Sequence, residues 1–539
     1  MNTWRKTLVA AMATVVLVGS ITACSGDKQN GDSGTAESTG KLRLLGPASA
    51  NKYIKFDDRE KYPVWKEIDK MLDEAGLDLD YELVPNEQYD VVIKTRMASG
   101  QDLPDIVNIS RLDNTTVLNL AKQGVIQDLN PLIEKYSNGN IKKMYDTEFP
   151  YARKSTTSPD GKMYWFSNLH KKTYQEKDPA PVSLTMLIRN DWLTKLNLPV
   201  PSTAQEYVDT LKQFRENDAN GNGLKDEILS YDPGLFSGSI AQWFGLGSDI
   251  TAVDVENKKV VSPWYQEGIK DYFRYMQELV KEGVLDTSLI GASGEQRTQK
   301  MTENKVASLS DYNLATYNEP LIKGGGEYLP LMPLKAADGI DPAAQLEPEF
   351  LVWQKYAITK DCKDVEAAIK FFDMIYSEQY ADLLYWGIEG LTYKTDDSGA
   401  KVFINKGPDE ELAKSGQVTG QKLFGDTVFP RVQFANLEFE LASVPKYKAD
   451  NELEILNYKP YFVNMNHIYL AIPDDKQLER KTKILTNLST YSTELATKIA
   501  LGQKSLDDWD QYMAELKKLG LDELLEIDQQ LLDRYNSIK

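Results

Sequence analysis

The sequence predicts an α/β protein that becomes helix-rich beyond about residue 190, and three observations carry that prediction. Leu77, Leu79, Tyr81 and Leu83 alternate with Asp78, Asp80 and Glu82, the period of a half-buried strand. Strand-like runs at 41–45, 77–83 and 106–109 alternate with helical spacing at 62–74 and 89–97, an order that predicts a parallel sheet. Behind a short leader the chain still has roughly 515 residues, too many for one core, so two lobes or more are expected.

The elements follow in order. Arg5 and Lys6 precede an apolar run from Leu8 to Val18, and Ile21-Thr22-Ala23-Cys24 closes it. That is the layout of a cleavable secretory leader; the apolar run is about eleven residues, whereas a membrane-spanning helix needs roughly twenty. Residues 25–40 contain no large apolar side chain and are rich in Gly, Ser, Asp and Thr, so they read as a flexible tether. The cysteine after small residues resembles a bacterial lipobox. That resemblance implies a signal peptide at 1–23, lipid on Cys24, a lipidated tether over 24–40, and a place on the outer face of the cell membrane. Each buried acyl methylene contributes about 0.8 kcal/mol, and two chains make such an anchor stable.

In the body, Lys41 to Leu45 is the first strand candidate and Tyr62 to Glu74 the first helix. Tyr89, Val92, Ile93 and Met97 recur at helical intervals, Gly100 stops that helix, and Ile106 to Ile109 is the next buried strand. Ligands of such sheets sit beyond the strand carboxyl ends, which gives Ser110 and Arg111 a suitable position. Thr203 with Glu206 three residues later is a capping box opening a helix near Ala204. Pro263 to Gly283 holds another amphipathic helix; Val365, Ala368, Ile369 and Phe372 mark one after Cys362. Leu524, Ile527, Leu531 and Tyr535 share a face at the end of a mainly helical C-terminal hundred residues.

Composition narrows the function. The formal charge is −19, and loss of Arg5 and Lys6 makes it two units more negative, which argues against nucleic acid and against lying flat on anionic lipid. With Cys24 lipidated, Cys362 has no disulfide partner. Two histidines, His170 and His467, leave little for a histidine-rich metal site or a histidine relay.

Several stretches then resemble one family. Met97-Ala98-Ser99-Gly100 followed by Leu103-Pro104-Asp105-Ile106, Ile188-Arg189-Asn190-Asp191-Trp192-Leu193, and Lys281-Glu282-Gly283 with Leu285-Asp286 are three of them. Trp386-Gly387-Ile388-Glu389-Gly390 with Tyr393, Leu506 to Asp510, and Asp533-Arg534-Tyr535 complete the series. Together they resemble family 1 extracellular solute-binding proteins of carbohydrate ABC importers, in the large lipoprotein branch common in Gram-positive bacteria. The resemblance implies a class II, two-lobe periplasmic-binding-protein-like fold with a helix-rich second lobe. It implies an oligosaccharide ligand in a closing cleft, partner permease subunits, and a monomer. On it the first lobe is expected at 41–165 and 306–358, the second at 166–305 and 359–539.

Asp218-Ala-Asn220-Gly-Asn222-Gly223-Leu224-Lys-Asp226-Glu227 has the spacing of a calcium loop. Side-chain oxygens fall at positions 1, 3, 5 and 9, glycine stands at 6, and the Leu224 carbonyl serves at 7. Leu229 replaces the usual glutamate at position 12; Asp226-Glu227 instead resembles the calcium loop of alginate-oligosaccharide-binding proteins of this family. A structural calcium ion is the expected cofactor, and the competing reading is an Asn-Gly surface turn.

A sugar site needs aromatic plates for C–H faces and carboxylates or amides for hydroxyls. Trp165 and Asn168 near the first expected crossing between lobes, Trp243 beside a Gly/Ser-rich stretch, and Trp264 after Pro263 are candidates. Asp311 and Tyr312 at a strand end, and Trp386, Glu389 and Tyr393 around Gly387 and Gly390, complete the set. The family commonly has histidine where this chain has Thr392. No Gly-x-Ser-x-Gly elbow, His-Glu-x-x-His motif or nucleotide fingerprint occurs, so no enzyme is expected. The remaining alternative is a binding lipoprotein for peptides or another non-sugar solute.

Overall fold

The computed structural model describes residues 38–538 apart from 49–52, 175–177, 180–184, 233–237, 248–249, 288–303, 312–320, 322–324, 347–349, 408, 425–430, 437–441, 443–459 and 466–468. Cys24 and its flanks therefore lie outside the described residues. Thr39–Lys539 forms one compact unit.

Along the chain the first elements are β1 (Lys41–Pro47), α1 (Pro63–Glu74), β2 (Asp78–Val84), α2 (Asn86–Ser99), β3 (Ile106–Asn108) and α3 (Asn114–Lys122). Proline opens α1, where a missing N–H costs nothing, and Val64, Trp65, Ile68, Met71 and Leu72 bury one face. Gly100 ends α2 in the left-handed region, φ 60°, as a helix-stopping glycine does. Next come β4 (Phe166–Tyr174), β5 (Asp178–Pro179), β6 (Thr185–Arg189), α4 (Ala204–Glu216), α5 (Ile269–Lys281), β7 (Ser308–Asp311), β8 (Tyr328–Pro330) and β9 (Phe350–Ile358). The expected capping box opens α4. The helix expected over 263–283 is a short 3₁₀ turn at Pro263–Tyr265 followed by α5, which starts after Gly268. The chain continues with α6 (Val365–Ile375), α7 (Glu378–Tyr385), the hairpin strands β10 (Tyr393–Thr395) and β11 (Lys401–Phe403), β12 (Val432–Asn436), and helices α8 (Asp475–Ala500), α9 (Trp509–Lys518) and α10 (Leu521–Ser537). No helix among the described residues is long and apolar enough to cross a membrane.

The main sheet has seven strands in the order β12-β4-β9-β3-β1-β2, with β5 pairing β4. β1 is parallel to β2 and β3, as the alternation of strands and helices predicts. β9 corrects the expectation of a parallel sheet, because it runs antiparallel to both β3 and β4. A parallel partner requires a long crossover on the same sheet, whereas β9 returns from a second body. That body carries a three-stranded antiparallel sheet, β8-β6-β7.

Two large cores follow. One holds Leu44, Ile68, Ile106, Phe166, Phe372 and Tyr376 on one face of the main sheet, and Leu45, Tyr89, Val107 and Ala357 pack on the other. The second joins Ile188, Tyr207, Trp243, Phe273, Leu495 and Trp509. Each fully buried large apolar side chain contributes roughly 1.5–3 kcal/mol relative to exposure. The expected division at 306 and 359 differs from this arrangement. β7 and β8 pair with β6, while β4, β12, α6 and α7 build onto the main sheet. The physical reason is that an amphipathic helix signals an apolar face without signalling which sheet will cover it.

Candidate ligand-binding site

β3 ends at the carboxyl edge of the main sheet, and a polar network forms there. Asn108 is buried, and its Oδ1 accepts from Ser110 Oγ at 2.5 Å and from Ser110 N–H at 3.0 Å. Its Nδ2 donates to Gln354 Oε1 at 3.2 Å, and its carbonyl accepts from Tyr89 OH at 2.5 Å. Ser110 Oγ in turn accepts from the Lys355 N–H at 2.7 Å, and the Lys355 carbonyl accepts from Ile109 N–H at 2.7 Å. The strand opposite is irregular: pairing of β9 with β4 shifts register between Trp353 and Tyr356, and Gln354 has φ 59°. Bulges of this kind re-aim side chains next to functional sites. Lys355 Nζ donates to Asn114 Oδ1 at 2.5 Å and stands 5.4 Å from the Trp165 ring centre. Desolvation holds the Lys355 ammonium below the ordinary lysine range. Asn114 also lines a pocket of about 490 Å³ shared with Ser155, Thr251, Lys481 and Leu531.

Of the residues expected from sequence to contact ligand, Trp165, Asn168, Trp243 and Trp264 are buried. The Asn168 amide oxygen accepts from the Arg431 N–H at 3.0 Å, which ties β4 to the start of β12. Trp243 packs edge-on against Tyr207, ring centres 5.2 Å apart, and Trp264 donates from Nε1 to Ser492 Oγ at 3.2 Å. A glycine-rich approach or a preceding proline says where a ring leaves the backbone, not what closes over it. Asp311 ends β7, its backbone paired with Thr185. Tyr312 lies outside the described residues.

Trp386, Glu389 and Tyr393 do come together, at the turn between α7 and the β10–β11 hairpin. The Trp386 ring lies nearly parallel to Phe403, 5.0 Å away at 21°, and 5.8 Å from Tyr393. Lys401 Nζ stands 5.5 Å and 5.3 Å from the Trp386 and Tyr393 ring centres. Exposed Glu389 accepts from Thr395 Oγ1 at 2.8 Å. Gly387 and Gly390 take φ 82° and 80°, conformations that favour glycine. Buried Thr392 latches the turn: its Oγ1 donates to the Trp386 carbonyl at 2.6 Å and accepts from Ile388 N–H at 2.7 Å. The result is a half-buried aromatic surface flanked by an ammonium and a carboxylate.

The loop at 218–227 is wound as its spacing predicts. Asp218 accepts from the N–H groups of Asn222 (3.0 Å) and Gly223 (2.9 Å), and Asn222 Oδ1 accepts from Leu224 N–H at 2.8 Å. Asp226 Oδ1 accepts from the Asn220 and Asn222 amides, and Oδ2 meets Lys305 Nζ at 3.2 Å. These partners, the Asn222 and Asn220 amides foremost, hold the Asp226 carboxyl below its ordinary range. Glu227 Oε1 accepts from Asn220 N–H at 3.4 Å, whereas Oε2 is buried with no hydrogen-bond partner among the described residues. An orphaned buried carboxylate oxygen beside Asn and Asp oxygens suits a hard cation. Leu229 is buried in the second core, so position 12 supplies no ligand. Among the described residues no cluster of three or more His, Cys, Asp or Glu side chains is placed for a metal. A cation here would draw on the Asn220 and Asn222 amides and the Leu224 carbonyl as well as carboxylates.

Sequence reasoning missed Asn108, Gln354 and Lys355. The one signal was a polar pair, Gln354-Lys355, interrupting the apolar strand from Phe350 to Ile358.

Residues 59–382 match the family model described as bacterial extracellular solute-binding protein. The chain is 25% identical over 501 residues to the fructooligosaccharide ABC transporter substrate-binding protein FusA of Streptococcus pneumoniae serotype 4, covering 88% of this chain and 87% of that protein. It is 25% identical over 439 residues to the polygalacturonan/rhamnogalacturonan-binding protein YtcQ of Bacillus subtilis, covering 78% and 79%. Among solved structures, FusA with kestose superposes with a TM-score of 0.71 at 22% identity, over 93% of this chain and 100% of that one. A FusA EF-hand mutant with fructo-nystose gives 0.71 at 21%, over 93% and 100%. Alginate-binding AlgQ2 without calcium ion gives 0.65 at 23%, over 92% and 99%. The sheet order, the paired bodies and these matches agree, and the chain belongs to the bacterial extracellular solute-binding proteins.

Proposed function

We propose that this protein captures an oligosaccharide in a cleft between its two bodies and delivers it, chemically unchanged, to the permease of an ABC importer. It works as a monomer on the outer face of the cell membrane, held there by lipid on Cys24. The observation that carries the sugar reading is that relatives named for fructooligosaccharide and for polygalacturonan/rhamnogalacturonan align over most of both chains. The aromatic surface of Trp386 and Tyr393 with Glu389 nearby supports it, since rings meet C–H faces and a carboxylate meets hydroxyls. One lobe is built on the seven-stranded sheet and the other on the three-stranded sheet, and hinge closure traps the ligand. Calcium in the 218–227 loop is structural, held by Asp218, Asn220, Asn222, the Leu224 carbonyl, Asp226 and Glu227; the EF-hand named for FusA supports this reading.

The test is a melting-temperature screen against oligosaccharides and against peptides. A ligand at 100 times its Kd adds about 2.7 kcal/mol of stability, so a true ligand raises the transition clearly. A rise with saccharides and none with peptides is expected. A rise with peptides alone sinks the sugar reading and leaves the family standing.

A further inference from the structure

Lys355 sits where the bulge breaks β9, beside the carboxyl end of β3. Among the described residues its ammonium meets Oδ1 of Asn114 and the face of Trp165, and neither is charged. Buried or half-buried ammonium groups are ordinarily paired. This chain has 81 acidic residues against 62 basic ones, and it pairs comparable cations readily. Arg189 meets Asp191 at 2.6 Å, Lys212 meets Glu282 at 2.7 Å, and Lys481 meets Asp528. Among the described residues no carboxylate forms an ion pair with Lys355. Asp113 contributes only at a distance, and its oxygens cap α3 through Thr116.

The backbone that presents Lys355 is also held on purpose. Gln354 occupies a positive-φ conformation that residues with a Cβ rarely adopt, and such outliers persist where surroundings over-determine them. Here Asn108, Ser110 and Ile109 all bond to the Gln354-Lys355 pair. The lysine is a fixed, partly open donor on a packed indole, at the edge where ligands of α/β sheets bind.

We propose that Lys355 is a specificity-determining contact of the ligand cleft and that it takes an acidic group, a carboxylate or a sulfate, carried by the bound oligosaccharide. This rests on the oligosaccharide reading above. It adds that the preferred saccharide is charged.

The experiment is calorimetric titration of the full chain with matched pairs that differ in charge alone. Oligogalacturonates and oligoalginates are compared with their methyl esters, sulfated carrageenan oligosaccharides with desulfated ones, and kestose serves as a neutral sugar. One acidic member is expected to bind at least about ten-fold tighter than its neutral counterpart, and the pair concerned tells carboxylate from sulfate. Lys355→Gln is expected to shrink that ratio to about two-fold, and Lys355→Arg to preserve it. Should Lys355→Gln not fold, the wild-type ratio and Lys355→Arg decide. Equal affinity for acid and ester, or binding of neutral sugars alone, overturns the role of Lys355 and leaves oligosaccharide capture intact. Binding of peptides with no saccharide bound removes both.

Discussion

Glu227 illustrates what single residues reveal here. The residue is 6% exposed, and one carboxylate oxygen meets no donor among the described residues. An unmet buried polar group costs about 1–3 kcal/mol, and a bound cation removes that cost. We expect millimolar calcium to raise the melting temperature and chelator to lower it, with Asp218→Ala plus Asp226→Ala abolishing both responses. Identical melting in calcium and in chelator would reject the ion. The winding of this loop was legible in the sequence because the residues that bond across it are neighbours in the chain, so spacing alone specifies them. The burial of Trp243 and Trp264 was not legible, because enclosure of a ring depends on side chains brought from distant segments, such as Tyr207 and Ser492. Lys355 escaped for the same reason: its meaning lies in Asn114 and Trp165, far away in the chain.

At the scale of elements, helices announced themselves through local chemistry. The Thr203–Glu206 box is closed in both directions, with Glu206 N–H donating to Thr203 Oγ1 and Thr203 N–H to Glu206 Oε2, each at 3.2 Å. Thr203→Ala is expected to cost about 1 kcal/mol, read as a lower urea midpoint at unchanged slope. The turn after α7 is the more sensitive element. A Cβ on Gly387 would stand 2.5 Å from Thr392 Oγ1, at φ 82°. Gly387→Ala is expected to lose about 1–3 kcal/mol and to weaken saccharide binding, because it displaces the Trp386 carbonyl that Thr392 holds. Unaltered binding with lowered stability would take Trp386 out of the ligand site. Strand direction was less legible than helix position: the alternation that marks a half-buried strand is identical for parallel and antiparallel partners, so β9 gave no warning of its reversal.

For the whole molecule, the proposed lipid anchor at Cys24 is tested by location. Cys24→Ala is expected to shift the protein from the membrane fraction to the medium, and retention at the membrane would show that the anchor lies elsewhere. Fold class and family were readable because many local motifs fall in one order along the chain, whereas the division into bodies was not, since strands were recruited across long distances. The main sheet takes its outer strand from Val432–Asn436, which lies against Leu169–Thr173. A chain that emerges N-terminus first therefore presents that β4 edge bare on one flank, an invitation to adhere to foreign strands. The main sheet is complete only once residue 436, about four-fifths of the way along the chain, has emerged, so β4 stays open to misplaced partners until then.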